Sequence, residues 1–439
     1  MVTLTSVCMT PVTSSSTAWS VPNFRRLWTA SAASSLGSEV AEIAVPMLVI
    51  LTLSASATEV GWLRAAQFLP FLLVTLPLGV LVDRWRGRRL SLLVGADTGR
   101  FVLFAALPLL VWAGVSNVAL FYPLVFAIGT LTVLYQVADF AFLPSVVGAH
   151  QLVDANGKIA ATSSASEIAG RGLGGLLVQA VTAPAAIALT AVTFGLSALS
   201  LRRIKVGQLD SPPEESLEEP RRPARQEILE GLRHAFTNRY IRALLGEAAT
   251  FNLFNELFII GLLLWTLRDL DLGAFATGLI FTAGGLGSFL GAWFGARATE
   301  RFGYGRVLLL TMAVGNTAPL AAALADRAAV GPVAVLCALF TLVGLGSGIA
   351  NVHAVSLRQT TLPEELRGRV NAAYRLISWG AIPVGAAVGG LAAARIGGQG
   401  TMLIGAAGMA VATLWVAISP VPRLRRIEEA HPPSSRSGS

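Results

Sequence analysis

Long stretches with almost no charged residue recur along the whole chain, and they constrain its fold more than any other feature. Many of them approach the ~20 residues that a helix needs to cross the hydrocarbon core of a bilayer. Charged residues make up 13% of the 439 residues, whereas a soluble domain has about 25%. The sequence therefore predicts an all-α integral membrane protein. The pattern places twelve transmembrane helices at about 24–52, 61–82, 90–113, 118–142, 158–182, 184–204, 241–266, 274–297, 305–325, 330–355, 370–394 and 399–420.

A basic turn closed by glycine occurs once in each half of the chain, between two predicted spans. The first copy reads Gly79-Val-Leu-Val-Asp83-Arg84-Trp-Arg-Gly-Arg-Arg89, and a degenerate copy runs from Gly291 to Arg306. The copies lie a little over two hundred residues apart, which is the spacing expected of a duplicated six-helix membrane unit. We therefore predict two pseudo-symmetric six-helix bundles, an arrangement that points to a secondary transporter.

The region 205–240 is the main break between the two predicted bundles. It is first polar and proline-rich, as a linker is, and then has apolar residues at helical spacing, which is typical of an amphipathic helix on a membrane surface. We divide the chain into a cytoplasmic tail, a first bundle, this linker, a second bundle and another cytoplasmic tail, at 1–22, 23–204, 205–240, 241–420 and 421–439.

Lys and Arg residues are distributed unevenly between the two predicted sides of the membrane. Of 33, 26 fall in the tails and in the loops after even-numbered spans, three lie near the opposite side and four lie within spans. Because basic residues are enriched in cytoplasmic loops, we predict that both termini lie in the cytoplasm and that the protein spans a bacterial inner membrane. This distribution argues against nucleic acid as a partner, despite a formal net charge of +8.

Other functional classes have little support in the residues. The two cysteines, Cys8 and Cys337, offer neither a disulfide framework nor metal-ligand spacing. The glycine-rich run 170–175 follows no predicted strand, so we interpret it as helix packing rather than as a dinucleotide loop. No nucleophile has a plausible base nearby. We predict neither an enzyme nor a protein with a metal or other cofactor.

Four stretches carry motifs that are best considered together. They are Phe24-Arg-Arg-Leu-Trp28 with Ser35-Leu-Gly37 and Ala44-Val-Pro46, the Asp83-Arg84 turn, Leu143-Pro-Ser-Val-Val147 with Leu152-Val-Asp-Ala-Asn156, and Leu362-Pro-Glu-Glu-Leu-Arg-Gly-Arg-Val370 before Tyr374-Arg375. Over about 24–420 the chain resembles the major facilitator superfamily, and within it the bacterial drug:proton antiporters related to macrolide efflux pumps and siderophore exporters. The resemblance implies a central cavity, alternating access by rocking of one bundle against the other, and export driven by protons.

Three carboxylates in the spans are candidates for coupling proton movement to transport. Glu39 and Glu42 lie on one face of the first span, and Glu256 lies on the seventh, its counterpart by duplication. A charge at bilayer depth costs ~2.5–3.5 kcal/mol, and two carboxylates one turn apart disfavour joint ionisation. Such a group can carry a proton inward and release a cationic substrate outward; alternatively, each bonds a neighbouring helix. Glu167 and Arg171, four residues apart, are expected to pair.

The resemblance also implies an inner gate. Its members here are Asp83, Arg84 and an acidic residue of the fourth span, Asp139, with Gly79 at the beginning of the turn. In this gate Asp83 can accept hydrogen bonds from the free N–H groups at the amino end of the eleventh helix. The arginines that follow, among them Arg89, are interpreted as anchors of the loop.

Polar and aromatic residues in the spans are candidates for the wall of a cavity that binds an amphiphile. The polar candidates are Gln136, Asn252 and Asn255, and the aromatic ones are Trp379, Tyr135, Phe251, Phe254 and Trp265. For each aromatic residue, contact with lipid or with a neighbouring helix is the alternative interpretation.

We therefore predict a monomeric secondary active transporter that exports an amphiphilic small molecule (a drug, an antibiotic or a siderophore) by proton antiport. A proton-coupled uptake symporter for a metabolite is an alternative that the same fold allows. A non-transporting membrane sensor is a further alternative, although it would not explain several carboxylates at mid-membrane. The identity of the substrate and the direction of transport do not follow from these residues.

Overall fold

The computed structural model describes residues 17–148, 151–205, 224–324, 332–362 and 364–430. Within these ranges the regular structure is helical and contains no strand. The α-helices are α1 Pro22–Met47, α2 Ala57–Leu73, α3 Thr75–Arg84, α4 Arg89–Trp112, α5 Phe121–Val146, α6 Leu152–Val181, α7 Ala183–Arg202, α8 Ala224–Thr237, α9 Arg239–Leu264, α10 Gly273–Phe302, α11 Tyr304–Ala323, α12 Pro332–Thr360 and α13 Glu364–Ala417.

Most of these helices are suited to a bilayer. In the described ranges, nine helical segments are long and apolar enough to cross a membrane, or ten if α2 and α3 form one broken span. The chain is thus an all-α, multi-pass membrane protein. Helix α6 is not among the nine, and α13 is interrupted at Gly397 (φ 75°), between the predicted eleventh and twelfth spans. The count of twelve spans and the boundaries of the five parts stay predictions.

The predicted second span is bent rather than straight. Helices α2 and α3 meet at 48°, with Val74 between them. Pro77 lacks the N–H that would bond to the carbonyl of Leu73, and its ring would crowd that carbonyl in a continuous helix. The bend is therefore encoded locally by proline.

Matching irregularities in the two halves agree with the predicted duplication. Helices α1 and α9 both contain 26 residues, and each continues into a five-residue π-helical turn, at Leu48–Thr52 and Trp265–Asp269. Each turn is followed by a non-glycine residue in the left-handed region, Ser54 (φ 51°) and Asp271 (φ 50°). Such strained residues are uncommon, so their recurrence at equivalent positions indicates that the halves share one design.

The buried apolar residues form one shared core at one end of the bundle and two separate cores at the other. The shared core joins both halves and includes Leu48, Leu63 and Trp265; we call this the closed end. At the opposite end the first half has its own core around Phe24, and the second half has its own around Tyr374; we call this the open end. The buried apolar cores of the two halves therefore merge at one end only.

Glycines allow the close approach at the closed end. A Cβ on Gly61 of α2 would lie 2.6 Å from the Cα of Gly390 of α13, and a Cβ on Gly175 of α6 would lie 2.8 Å from the Cα of Gly278 of α10. Because Cβ atoms essentially never approach other atoms that closely, these two crossings between the halves require glycine. Small residues serve the same purpose between membrane helices generally.

The predicted amphipathic helix of the linker corresponds to α8, which packs against the beginning of α13. Arg369 Nη1 lies 2.8 Å from Glu230 Oε2, and a Cβ on Gly231 would lie 2.4 Å from the carbonyl oxygen of Arg369. Protein contacts thus hold α8 to the second half, and its location on the membrane surface stays a prediction. Most of the predicted tails, 1–22 and 421–439, and the polar part of the linker lie outside the described residues, at 1–16, 431–439 and 206–223.

Candidate functional site

The main cavity, of about 940 Å³, is lined by helices α9 to α13 and by one residue of α6. Its wall combines amide side chains, such as Asn252 and Asn316, with the aromatic rings of Phe251 and Trp379. Among its lining residues, Val370 and Tyr374 belong to the core at the open end, and Arg375 is exposed, so the cavity is reached from the open end. An apolar wall with a few oriented polar groups suits the binding of an amphiphile.

Two of the predicted cavity residues are also held by contacts with neighbours. Asn252 Nδ2 donates to the carbonyl oxygen of Ser378 at 2.7 Å. The ring of Trp379 lies 5.2 Å from the ring of Phe71 in α2, and the guanidinium of Arg375 lies 5.0 Å from its centroid. Trp379 therefore lies where the cavity of the second half meets a helix of the first.

The other candidates for a cavity wall lie elsewhere. Gln136 and Tyr135 line a second cavity of about 390 Å³ within the first half. Phe254 lines a shallow groove between α2, α9 and α13. Asn255 lines neither of the two cavities. Trp265 lines none of these three sites; it is 1% exposed and belongs to the shared core.

Three carboxylates surround Arg171 of α6, and we call this group the Arg171 cluster. Arg171 Nε lies 3.2 Å from Glu39 Oε2, and its Nη2 lies 3.8 Å from Glu42 Oε2 and 3.6 Å from Glu167 Oε1. The expected pairing within α6 is therefore found, and both acidic residues of α1 share the same guanidinium. Glu167 lines the main cavity and Glu39 lines the second one, so the cluster lies between the two. In the described residues, no group of His, Cys, Asp or Glu could hold a metal ion.

A second ion pair connects the two halves directly. Arg64 of α2 donates from Nε to Glu256 Oε2 at 2.8 Å and from Nη2 to Glu256 Oε1 at 3.0 Å. The two residues are 1% and 4% exposed, so the pair is fully withdrawn from solvent. Sequence analysis singled out Glu256 but missed Arg64 as its partner, because the two residues are 192 positions apart and no local spacing relates them.

Sequence analysis also missed Glu247, the other acidic residue of the predicted seventh span. Glu247 is 9% exposed and lines the main cavity. Its Oε1 accepts a hydrogen bond of 3.1 Å from Asn316 Nδ2, which also donates to Thr413 Oγ1 at 3.1 Å. No arginine or lysine in the described part of the chain pairs with it. A carboxylate within a predicted span was the signal that could have found it.

The turn predicted to form the gate is exposed at the end of α3. Asp83 Oδ1 lies 3.8 Å from Arg89 Nη2, and Arg89 Nη1 donates to the carbonyl oxygen of Ala141 at 2.8 Å. Arg89, which we interpreted as a loop anchor, thus ties the turn to α5. Arg84 is exposed and forms no ion pair with a described residue, and no described hydrogen bond joins Asp83 to α13. A Cβ on Gly79 would meet nothing within 4 Å.

Asp139 lies in a different environment from the turn. Its nearest charged groups are Asp97 and Arg100, which form a buried ion pair with each other. The Arg100 guanidinium lies 4.6 Å from the ring centroid of Tyr135. Asp139 Oδ1 and the Tyr135 hydroxyl have no hydrogen-bond partner among the described residues. This conformation therefore does not bring Asp139 together with Asp83, and the gate role of both stays a prediction.

Comparisons with known proteins agree with this architecture. The family model described as Major Facilitator Superfamily matches residues 27–378 and 248–437. The multidrug efflux pump Tap of Mycolicibacterium fortuitum is 27% identical over 405 residues, which cover 90% of this chain and 95% of that protein. An uncharacterized MFS-type transporter of Mycobacterium tuberculosis is 27% identical over 376 residues, covering 82% of each chain. The solved structure of the nucleoside transporter NupG superposes with a TM-score of 0.70 at 11% identity, over 90% of this chain and 98% of that one; at that identity the likeness concerns the fold alone.

Proposed function

The chain belongs to the major facilitator superfamily, a family of membrane transporters rather than enzymes, and from this premise we propose that it exports an amphiphilic small molecule by proton antiport. The substrate class comprises drugs, antibiotics and siderophores. The efflux function of the relative Tap and the mixed polar and aromatic wall of the main cavity support export of an amphiphile. We place the protein in a bacterial inner membrane as a monomer.

Alternating access gives the two ends of the bundle opposite roles. The distribution of basic residues assigns both termini, and hence the open end, to the cytoplasm. In the conformation described above, substrate then reaches the main cavity from inside the cell, while the glycine crossings close the outer side. Release requires the closed end to separate and the gate formed by Gly79, Asp83, Arg84 and Asp139 to close the inner side.

The Arg171 cluster is the observation that carries proton coupling. One guanidinium cannot neutralise three carboxylates, so a proton on one of them relieves their mutual repulsion. Proton uptake at Glu39 or Glu42 from the outer side weakens their attraction to Arg171 and permits the helices to rearrange. Glu256 is coupled to the same movement, because its ion pair with Arg64 joins the two halves. Gln136, Asn252, Asn255 and Trp379 are the proposed substrate contacts.

Transport of ethidium, a fluorescent amphiphilic cation, in energised everted vesicles tests this proposal. We expect wild-type vesicles to accumulate ethidium and a protonophore to abolish the accumulation. The Glu39→Gln variant should lose gradient-driven transport, whereas Glu300→Gln, which removes an exposed carboxylate of α10, should retain it. Protonophore-insensitive transport, or full transport by each of the Gln variants of Glu39, Glu42 and Glu256, would refute proton coupling. Proton-dependent uptake by intact cells would favour the symporter instead.

A further inference from the structure

Glu247 differs from Glu256 and from the three carboxylates of the Arg171 cluster, because no charged group among the described residues pairs with it. The three members of the Arg171 cluster share a guanidinium, and Glu256 has one to itself in Arg64. The described contacts of the Glu247 carboxylate are with a neutral group, the amide of Asn316. Glu247 is therefore an acidic group in a cavity wall without a counter-ion among the residues that the structure describes.

The hydrogen bond from Asn316 orients this carboxylate. Asn316 is 4% exposed, and its amide nitrogen is shared between Glu247 Oε1 and the hydroxyl of Thr413. Glu247 Oε2 accepts no described hydrogen bond, and the residue lines the main cavity. One carboxylate oxygen is thus held in place while the other is available to a molecule in the cavity.

The cationic side chains in the same cavity are engaged by aromatic rings. The Arg358 guanidinium of α12 lies 3.7 Å from the ring centroid of Tyr374, whose hydroxyl donates to the carbonyl oxygen of Leu244 at 3.0 Å. Arg375 of α13 lies over the ring of Trp379. Neither arginine forms an ion pair with Glu247 among the described residues.

The remaining charged group of the cavity wall is Glu167 of α6, which belongs to the Arg171 cluster. It is acidic and cannot serve as a counter-ion for Glu247. The groups that face Glu247 from α6, α11, α12 and α13 therefore leave its charge uncompensated when the cavity is empty.

A buried carboxylate is stable when it holds a proton or when a cation lies beside it. We propose that Glu247 binds the cationic group of the substrate, and that the arriving cation displaces the proton that Glu247 holds in the empty cavity. The O–H bond of the carboxylic acid breaks, the proton passes to water, and the carboxylate forms an ion pair with the substrate. Phe251, one helical turn further along α9, provides apolar and cation–π contacts for the rest of the molecule. The substrate class is therefore amphiphilic organic cations, an inference that rests on the proposed export function and deepens it.

Equilibrium binding of ethidium to the purified full chain in lipid nanodiscs tests this assignment. For the wild type, affinity should increase with pH, and binding in weakly buffered solution should release about one proton per ethidium, as a pH indicator reports. Glu247→Gln should bind about tenfold or more weakly, without pH dependence and without proton release. Glu300→Gln is the matched control and should behave as the wild type, because its carboxylate is exposed and far along α10 from the cavity residue Ser288.

The outcomes separate this inference from the proposed function. If Glu247→Gln binds ethidium with wild-type affinity, releases a proton on binding and still shows protonophore-sensitive ethidium transport, the proposed role of Glu247 is overturned and the export proposal stands. Failure of the wild type both to bind and to export ethidium would overturn both. If Glu247→Gln does not fold, Glu247→Asp decides: weakened binding that still releases a proton supports the assignment, and unchanged affinity contradicts it.

Discussion

Loss of the Glu256 carboxylate should open the closed end of the bundle. In the Glu256→Gln variant Arg64 keeps its positive charge, because a guanidinium is not deprotonated in proteins. The bidentate pair at 2.8 and 3.0 Å is then replaced by a weaker contact to a neutral amide. Arg64 is 1% exposed when the halves are closed, so its charge is left buried without a counter-ion in that state and becomes hydrated when they separate.

The size of this effect follows from the burial of the pair. Removing one partner of a buried ion pair costs about 3–5 kcal/mol, and solvent screening brings little reduction because the side chains of Arg64 and Glu256 are 2% and 5% exposed. Since 1.4 kcal/mol corresponds to a factor of ten, the ratio of closed to separated molecules should fall by roughly a hundred-fold or more.

Arg64→Met should have a smaller effect, because the remaining carboxyl of Glu256 can take up a proton. The double variant Arg64→Met/Glu256→Met should be close to wild type, since a buried pair can be replaced by apolar residues at little cost.

Double electron–electron resonance, which measures distances between spin labels, can report this shift across the closed end. Spin labels at Thr58→Cys in α2 and Ala394→Cys in α13, with Cys8 and Cys337 replaced, report the separation of the halves. Wild type and double variant should show a short distance, and Glu256→Gln a longer one. An unchanged distance in Glu256→Gln, or a double variant as open as the single one, would refute the claim that this ion pair stabilises the closed end.

Three further predictions concern the crossings between helices and the Arg171 cluster. Gly61→Val should prevent closure of α2 against α13, because even a Cβ would lie 2.6 Å from the Cα of Gly390. Labelling of a cysteine introduced at the closed end should therefore increase. The control Gly95→Ala, whose Cβ would meet nothing within 4 Å, should leave the labelling unchanged. Arg171→Met should abolish gradient-driven ethidium transport in vesicles, whereas the purified variant should still bind ethidium. Loss of transport and of binding to the same extent would contradict a role of Arg171 confined to coupling. Gly291→Ala should lower the melting temperature in detergent, because its Cβ would lie 2.2 Å from the carbonyl oxygen of Leu345; an unchanged melting temperature would show that α10 and α12 can separate without cost.

The contacts of the charged residues show which interactions a local sequence pattern can predict. The spacing of Glu167 and Arg171 predicted their contact correctly, because residues four apart on a helix are neighbours wherever that helix packs. The same reasoning placed Glu39 and Glu42 on one face of α1, yet it could not show that both turn toward Arg171 of α6. That contact depends on how α1 and α6 are rotated about their axes, which is decided by packing.

The same limit applies to the cavity. Asn252 and Trp379 line it, and their contact with substrate stays a prediction. Trp265, for which a cavity wall and packing against a helix were both open, is buried in the shared core. Glu247 was overlooked because nothing in its immediate sequence distinguishes a carboxylate with a counter-ion from one without. Its neutral partner, Asn316, is 69 residues away on α11.

Sequence alone determined the membrane-spanning helices, the duplicated halves and the family. The helices and the halves follow from the length of apolar runs, from helical periodicity and from a motif repeated along the chain, which are properties of short segments in lipid. The family follows instead from the resemblance of four stretches of motif residues. Tertiary structure decided which end is closed, which carboxylates have an arginine and which faces of the helices line a cavity. The physical reason is that charges in a low-dielectric interior are stabilised by whichever groups packing brings within a few ångströms, and positions such as Arg64 and Glu256 meet only after distant helices have come together.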